Sequence, residues 1–200
     1  AARGFIDCAT PPAAPVLAEW LAGRALPDGL KVDADLRWLI LRRLVVLGAA
    51  GPADIDAEAA RDVTAQGDVH AAQCRAAVPD PAGKAATWSA MMTDRSLTNR
   101  RIEALGRGFW QPEQRALTAP YVSRFFAEIV PACADRSTEM TSLLATVAYP
   151  RFDVDPGTLE AAAALLDRAG LPAALHRAVA THRDELRVAL AARDRAADPS

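Results

Sequence analysis

An all-α fold, an irregular superhelix of short helix pairs, is what this sequence predicts, and three observations carry that reading. Alanine fills 46 of the 200 positions, whereas valine and isoleucine together fill 18. Alanine loses no side-chain entropy in a helix, and β-branched residues do. Capping residues and prolines restart the chain near positions 33, 52, 66, 81, 96, 112, 137, 156 and 173, roughly one helix every 15 to 20 residues. Paired, these helices make units of about 30 to 40 residues, the size range of helical solenoid repeats, although no strict sequence repeat accompanies the period. No segment alternates apolar and polar residues, so a strand has no support.

Each element follows from local signals. Residues 1 to 15, with Pro11, Pro12 and Pro15, read as a loosely ordered lead-in. A short helix then runs from about Pro15 to Gly23, with Val16, Leu17, Trp20 and Leu21 inward, and Leu26-Pro27-Asp28-Gly29 is a turn. Asp33 or Asp35 opens the most apolar helix, from Trp38 to Leu47. Its three arginines, Arg37, Arg42 and Arg43, fall on three sides of the wheel. A helix without a polar face is covered on more than one side, so this one is placed inside the stack.

Gly51-Pro52 restarts the chain. A helix marked by Ile55 and Ala59 follows, then one marked by Val69, Gln73 and Ala76. Asp80-Pro81 pairs an N-cap with a first-position proline and launches a helix whose inner side holds Ala85, Trp88 and Met92. Asp94 or Ser96 begins the next, with Leu97, Ile102, Leu105 and Phe109 inward and Gly106 and Gly108 loosening its end. Pro112 and Pro120 start a broken pair, 112–118 and 120–130. Pro131 and Asp135 separate this pair from a helix at 137–148. Asp155-Pro156 repeats the cap, with Leu159, Ala162, Ala163 and Leu166 inward and Gly170 as an αL-type end. The last helix aligns Leu175, Val179, His182, Leu186 and Leu190, and frays at Arg193-Asp194-Arg195. Trp88, Phe109, Trp110, Tyr121, Phe125 and Phe126 all lie between Asp80 and Val130, so the packing is anchored there.

Composition narrows the function classes. A net charge of −2 gives no electrostatic case for nucleic acid or an anionic membrane as partner. No apolar run reaches the roughly 20 residues of a membrane helix, and no signal peptide opens the sequence. Cys8, Cys74 and Cys133 are odd in number and scattered; reduced thiols in a cytoplasmic protein are the expectation.

The chemistry-bearing motifs are missing. His70, His176 and His182 form no His-Glu-x-x-His, and no Gly-x-Ser-x-Gly, P-loop or Gly-x-Gly-x-x-Gly is present. No catalytic residue and no metal or cofactor site is therefore expected in this chain. The acidic run Asp54, Asp56 and Glu58 reads as a dipole-favoured first turn rather than paired catalytic carboxylates. Trp88, Met91 and Met92 read as core, with an apolar groove as the rival, and Phe109-Trp110 as an anchor or a surface contact. Arg100, Arg101, Arg107 and Arg124 are the candidates for meeting a carboxylate in a concave groove, against the plainer reading of a solvated face.

Three blocks carry a family resemblance. The first is Arg61-Asp62-Val63-Thr64-Ala65-Gln66-Gly67 with Cys74 to Pro79 and Lys84 to Trp88. The second is Gly108-Phe109-Trp110-Gln111-Pro112-Glu113-Gln114 with Ala119 to Val122 and Phe125-Phe126. The third is Leu171 to Arg177 with Glu185 to Arg193. Together, over about residues 30 to 195, they resemble the C-terminal helical domain of actinobacterial aminopeptidase N, a family of gluzincin zinc aminopeptidases.

That resemblance implies a HEAT/armadillo-like right-handed superhelix of antiparallel helix pairs. It implies a non-catalytic domain that caps the active site and limits the access of peptide substrates. The zinc and its His-Glu-x-x-His would belong to an upstream catalytic domain, this chain's partner in the full-length protein. The family domain is longer than 200 residues, so its first helices are expected upstream of residue 1. A free-standing helical-repeat scaffold that binds a protein partner is the alternative from another class.

Overall fold

Cap chemistry decides where the helices begin. In the computed structural model, which describes residues 2–197, Asp33, Thr64, Asp80, Thr98, Ser137 and Asp155 each accept a backbone N–H from the first turn they open. The α-helices among the described residues are α1 (Ala2–Cys8), α2 (Ala14–Leu21), α3 (Ala34–Val46), α4 (Pro52–Arg61), α5 (Ala65–Ala77), α6 (Pro81–Thr93), α7 (Asn99–Phe109), α8 (Arg115–Thr118), α9 (Pro120–Cys133), α10 (Thr138–Ala148), α11 (Pro156–Leu166) and α12 (Ala173–Ala197). No strand occurs among the described residues. The fold is all-α.

The helices stack in two rows. One row is α1, α3, α5, α7, α10 and α12, each packed on the next. The other is built from α2, α4, α6, α9 and α11, each packed on its partner in the first row. Such a stack of helix pairs has the layout of a helical superhelix. Three apolar clusters run along it, centred on Trp20, on Trp38, and on Trp88 with Trp110.

Several expectations are corrected. The lead-in is not loose: α1 occupies Ala2–Cys8 and buries Ile6 completely. Val16, expected inward, is exposed. In α5 the buried residues are Gly67, Ala71, Ala72, Cys74, Ala76 and Ala77, while Val69 and Gln73 stay half-buried. Ala85 is exposed and its neighbour Lys84 is fully buried. Asp94 closes a turn onto Ser96, and it is Thr98 that caps α7. α9 runs through Pro131 to Cys133. In α11 the buried set is Thr158, Ala162 and Leu165, a rotation of about one position from the predicted stripe. α12 continues past Arg193 to Ala197, with the Arg193 guanidinium donating to the Val154 carbonyl at 2.7 Å.

Gly106 and Gly108 do not loosen α7; they let it approach its neighbours. A Cβ on Gly106 would stand 2.5 Å from the Val147 Cβ, and one on Gly108 would overlap the Gln73 carbonyl oxygen of α5. Gly108, with Gln73 and Ala76 of α5 against it, lets α5 and α7 pack backbone to backbone, and Gly106 lets α7 close on α10.

Candidate functional site

The segment Phe109-Trp110-Gln111-Pro112-Glu113-Gln114 follows α7 and gathers the C-terminal ends of the first row. The last carbonyls of a helix have no intrahelical partner and need donors from elsewhere. The Gln114 amide donates to Val46 at the end of α3 (3.2 Å) and to Ala77 at the end of α5 (2.8 Å). Trp110 Nε1 donates to Ala148 at the end of α10 (3.2 Å), and Gln111 Nε2 to Arg107 and Gly108 in the last turn of α7 (2.8 and 3.1 Å). Lys84, reaching in from α6, donates to Ala76 and to Phe109, both at 2.8 Å. Arg43 donates to Ala9, just beyond α1, at 2.7 Å through Nε. Helices α1, α3, α5, α7 and α10 thus end at one edge and run in the same direction.

Along the face of this row lie three connected hollows of about 300, 290 and 200 Å³. Gln73 of α5 lines all three, Arg42 joins the first to the second, and Arg107 joins the first to the third. The central hollow, at the C-terminal edge, is walled by Arg42 and Arg43 of α3, Arg107 of α7, and Arg151 after α10. Partial negative charge collects at helix C-termini, which favours cations there. Asp7 pairs with Arg42 at 3.2 Å, Glu113 with Arg43 at 2.6 Å and Glu103 with Arg107 at 2.6 Å. Arg151 donates only to the Thr146 carbonyl, at 3.3 Å, and no carboxylate among the described residues lies within 4.0 Å of it. The residue itself is exposed; partial desolvation at the mouth of the hollow, and then the Arg107 charge, hold its pKa below the usual arginine range, against an opposite pull from Glu185.

The four arginines singled out from the sequence separate here. Arg100 and Arg107 line the third hollow together. Arg101 turns to donate to the Asp68 carbonyl at 2.9 Å. Arg124 belongs to α9 in the other row, ion-paired with Glu128 at 2.6 Å and seated over Tyr121, 5.1 Å from its ring centre. Sequence reasoning missed Arg42, Arg43 and Arg151. The first two are visible only as polar breaks in an apolar helix, and Arg151 follows Tyr149-Pro150 without any local signal.

The remaining motif residues have structural partners. Trp88, Met91, Met92, Phe109 and Trp110 are all core. Asp54 caps Gly51, Asp56 pairs with Arg75 at 2.7 Å, and Glu58 is buried against Arg37 at 2.6 Å, so the acidic run is split among three partners. Among the described residues no group of three or more His, Cys, Asp or Glu could hold a metal ion. No described helix is long and apolar enough to cross a membrane.

Comparison with known proteins agrees with this architecture. The family model of the ERAP1-like C-terminal domain matches residues 4–188. Aminopeptidase N of Streptomyces lividans is 40% identical over 192 residues, which is 96% of this chain and 22% of that protein. The chain thus spans about a fifth of the length of that relative. By the extent of these matches, the chain belongs to the ERAP1-like C-terminal domain family.

Proposed function

We propose that this chain is the non-catalytic C-terminal domain of a cytoplasmic zinc-dependent aminopeptidase that removes N-terminal residues from peptides. In this reading the arginine-lined face of the first row closes over the active site of the upstream catalytic domain. It forms one wall of the substrate chamber and limits which peptides enter. What supports the reading most is the family match across nearly the whole chain, together with the aminopeptidase N relative. The grooved face adds to it, because substrate sites are concave and carry a few placed polar groups that orient the ligand.

Zinc would polarise the scissile carbonyl and activate water in the parent enzyme. The residues of this chain do not fit that ion, since no ligand cluster comes together among those described. Their part is shape and charge.

The test compares the 200-residue chain alone with the full gene product, assayed for release of N-terminal residues from short peptides. Activity confined to the longer protein and abolished by a chelator is the expected result. A full-length protein without such activity would overturn the reading.

A further inference from the structure

The groove carries more positive charge than its own carboxylates neutralise, in a chain whose net charge is −2. In the central hollow, Arg42, Arg43, Arg107 and Arg151 face only Asp7 and Glu113. Both of those acids are already committed, to Arg42 and Arg43, and Arg107 is held by Glu103 on its own helix. Arg151 shares the hollow with Arg107 and has only a carbonyl partner at 3.3 Å. Arg100, in the adjoining hollow, has no carboxylate within 4.0 Å among the described residues. Like charges held together in a recess repel unless an anion comes between them, and the Arg107 charge is among the causes that lower the Arg151 pKa. A guanidinium fork binds a carboxylate through two parallel hydrogen bonds.

Building on the aminopeptidase reading, we propose that this groove selects peptides with acidic side chains downstream of the scissile bond, and that Arg151 is a specificity-determining residue for them. A carboxylate placed between Arg151 and Arg107 relieves their mutual repulsion and gives Arg151 a directly paired partner, where Glu185 on its other side acts on it only from beyond ion-pair distance. Neutral peptides gain nothing at this position, and basic ones are repelled.

The experiment uses the full-length enzyme and peptides of one length and one N-terminal residue, all with C-terminal amides so that side chains are the only carboxylates. One Glu is walked along the downstream positions, each peptide matched to its Gln counterpart, at low and at high salt. A single-residue chromogenic amide that cannot reach the groove reports the catalytic centre separately. The expected result is a position at which kcat/KM for Glu exceeds that for Gln by about fivefold, falling toward unity at high salt. Arg151→Gln should abolish the Glu/Gln ratio, whereas Arg168→Gln, an equal loss of charge in the exposed turn after α11, should preserve it. Equal kcat/KM for Glu and Gln at every position, or a ratio that survives Arg151→Gln, overturns the inference while cleavage of the amide leaves the aminopeptidase reading standing. Failure to cleave even the amide overturns both.

Discussion

Lys84 is fully buried, yet its ammonium meets three carbonyl oxygens, those of Ala76 and Phe109 at 2.8 Å and of Gly108 at 3.5 Å. It binds the ends of α5 and α7 to the start of α6. Lys84→Met would leave Ala76 and Phe109 without a donor, and an unsatisfied buried carbonyl costs about 1–3 kcal/mol. Urea unfolding should show a loss of about 2 kcal/mol. The loss should depend on pH. Burial lowers the Lys84 pKa from 10.5 to about 7, so above about pH 7 the unfolded chain holds more protons than the folded one. Stability then rises with pH, and from about pH 7 to about pH 9 the wild type should gain on Lys84→Met. A pH-independent gap between the two would mean that the lysine titrates normally in its site. Its burial had no local signal in the sequence: Lys84 stood only at the edge of a resemblance block, and the three-and-four spacing pointed to Ala85, Trp88 and Met92. Trp88 and Met92 were legible because large apolar groups have one sensible destination.

At the scale of the element, most of the fold was legible. Asp80-Pro81 and Asp155-Pro156 act locally, and the helices they open begin where expected; α11, however, already ends at Leu166, and Gly170, at φ +80°, turns the chain four residues later instead of closing the helix. Legibility fell where a long-range contact decided the outcome. α1 is a helix because Ile6 finds a pocket with Leu17, Trp20 and Leu44 in the Trp20 cluster. Gly106 and Gly108 read as loose ends because sequence does not show that Val147 and Gln73 lie against them. Gly108→Ala should therefore destabilise the protein by roughly 1–3 kcal/mol, despite its better helix propensity; a rise in melting temperature would contradict the close packing of α5 on α7. Gln114→Leu should cost about 1–3 kcal/mol, since the Val46 and Ala77 carbonyls lose their shared donor. A neutral result in urea unfolding would show that water replaces the side chain. The clasp after α7 explains why the aromatic block organises the chain: it joins the ends of α3, α5, α7 and α10 at one edge.

For the whole molecule, the two-row stack was readable from its period, but the groove was not. Its walls come from α3, α5, α7 and the turn after α10, and only packing brings Arg42, Arg107 and Arg151 to one hollow. Arg124, on a helix of equal promise, went to the opposite row. The stack also sets an alkaline limit. Burial pushes Cys74 from 9.0 to about 12, Cys133 from 9.0 to about 11 and Tyr149 from 10.0 to about 12. Between the unfolded and folded values the unfolded chain releases protons that the folded one keeps. These three groups therefore contribute stability that is present below about pH 9 and lost as pH rises toward about pH 12. Chemical denaturation across that range should show stability falling above about pH 9, against the upward pull of Lys84.

The central claim, that the arginine-lined face closes over substrate in the parent enzyme, is tested most directly by cross-linking. A peptide held at its N-terminus and carrying a photoreactive group near its far end would be irradiated in the full-length protein, and the labelled residues mapped by mass spectrometry. Labels on α5, α7 and the segment around Arg151 are the predicted result. Labels on the second row, around Arg124 or α11, would contradict it.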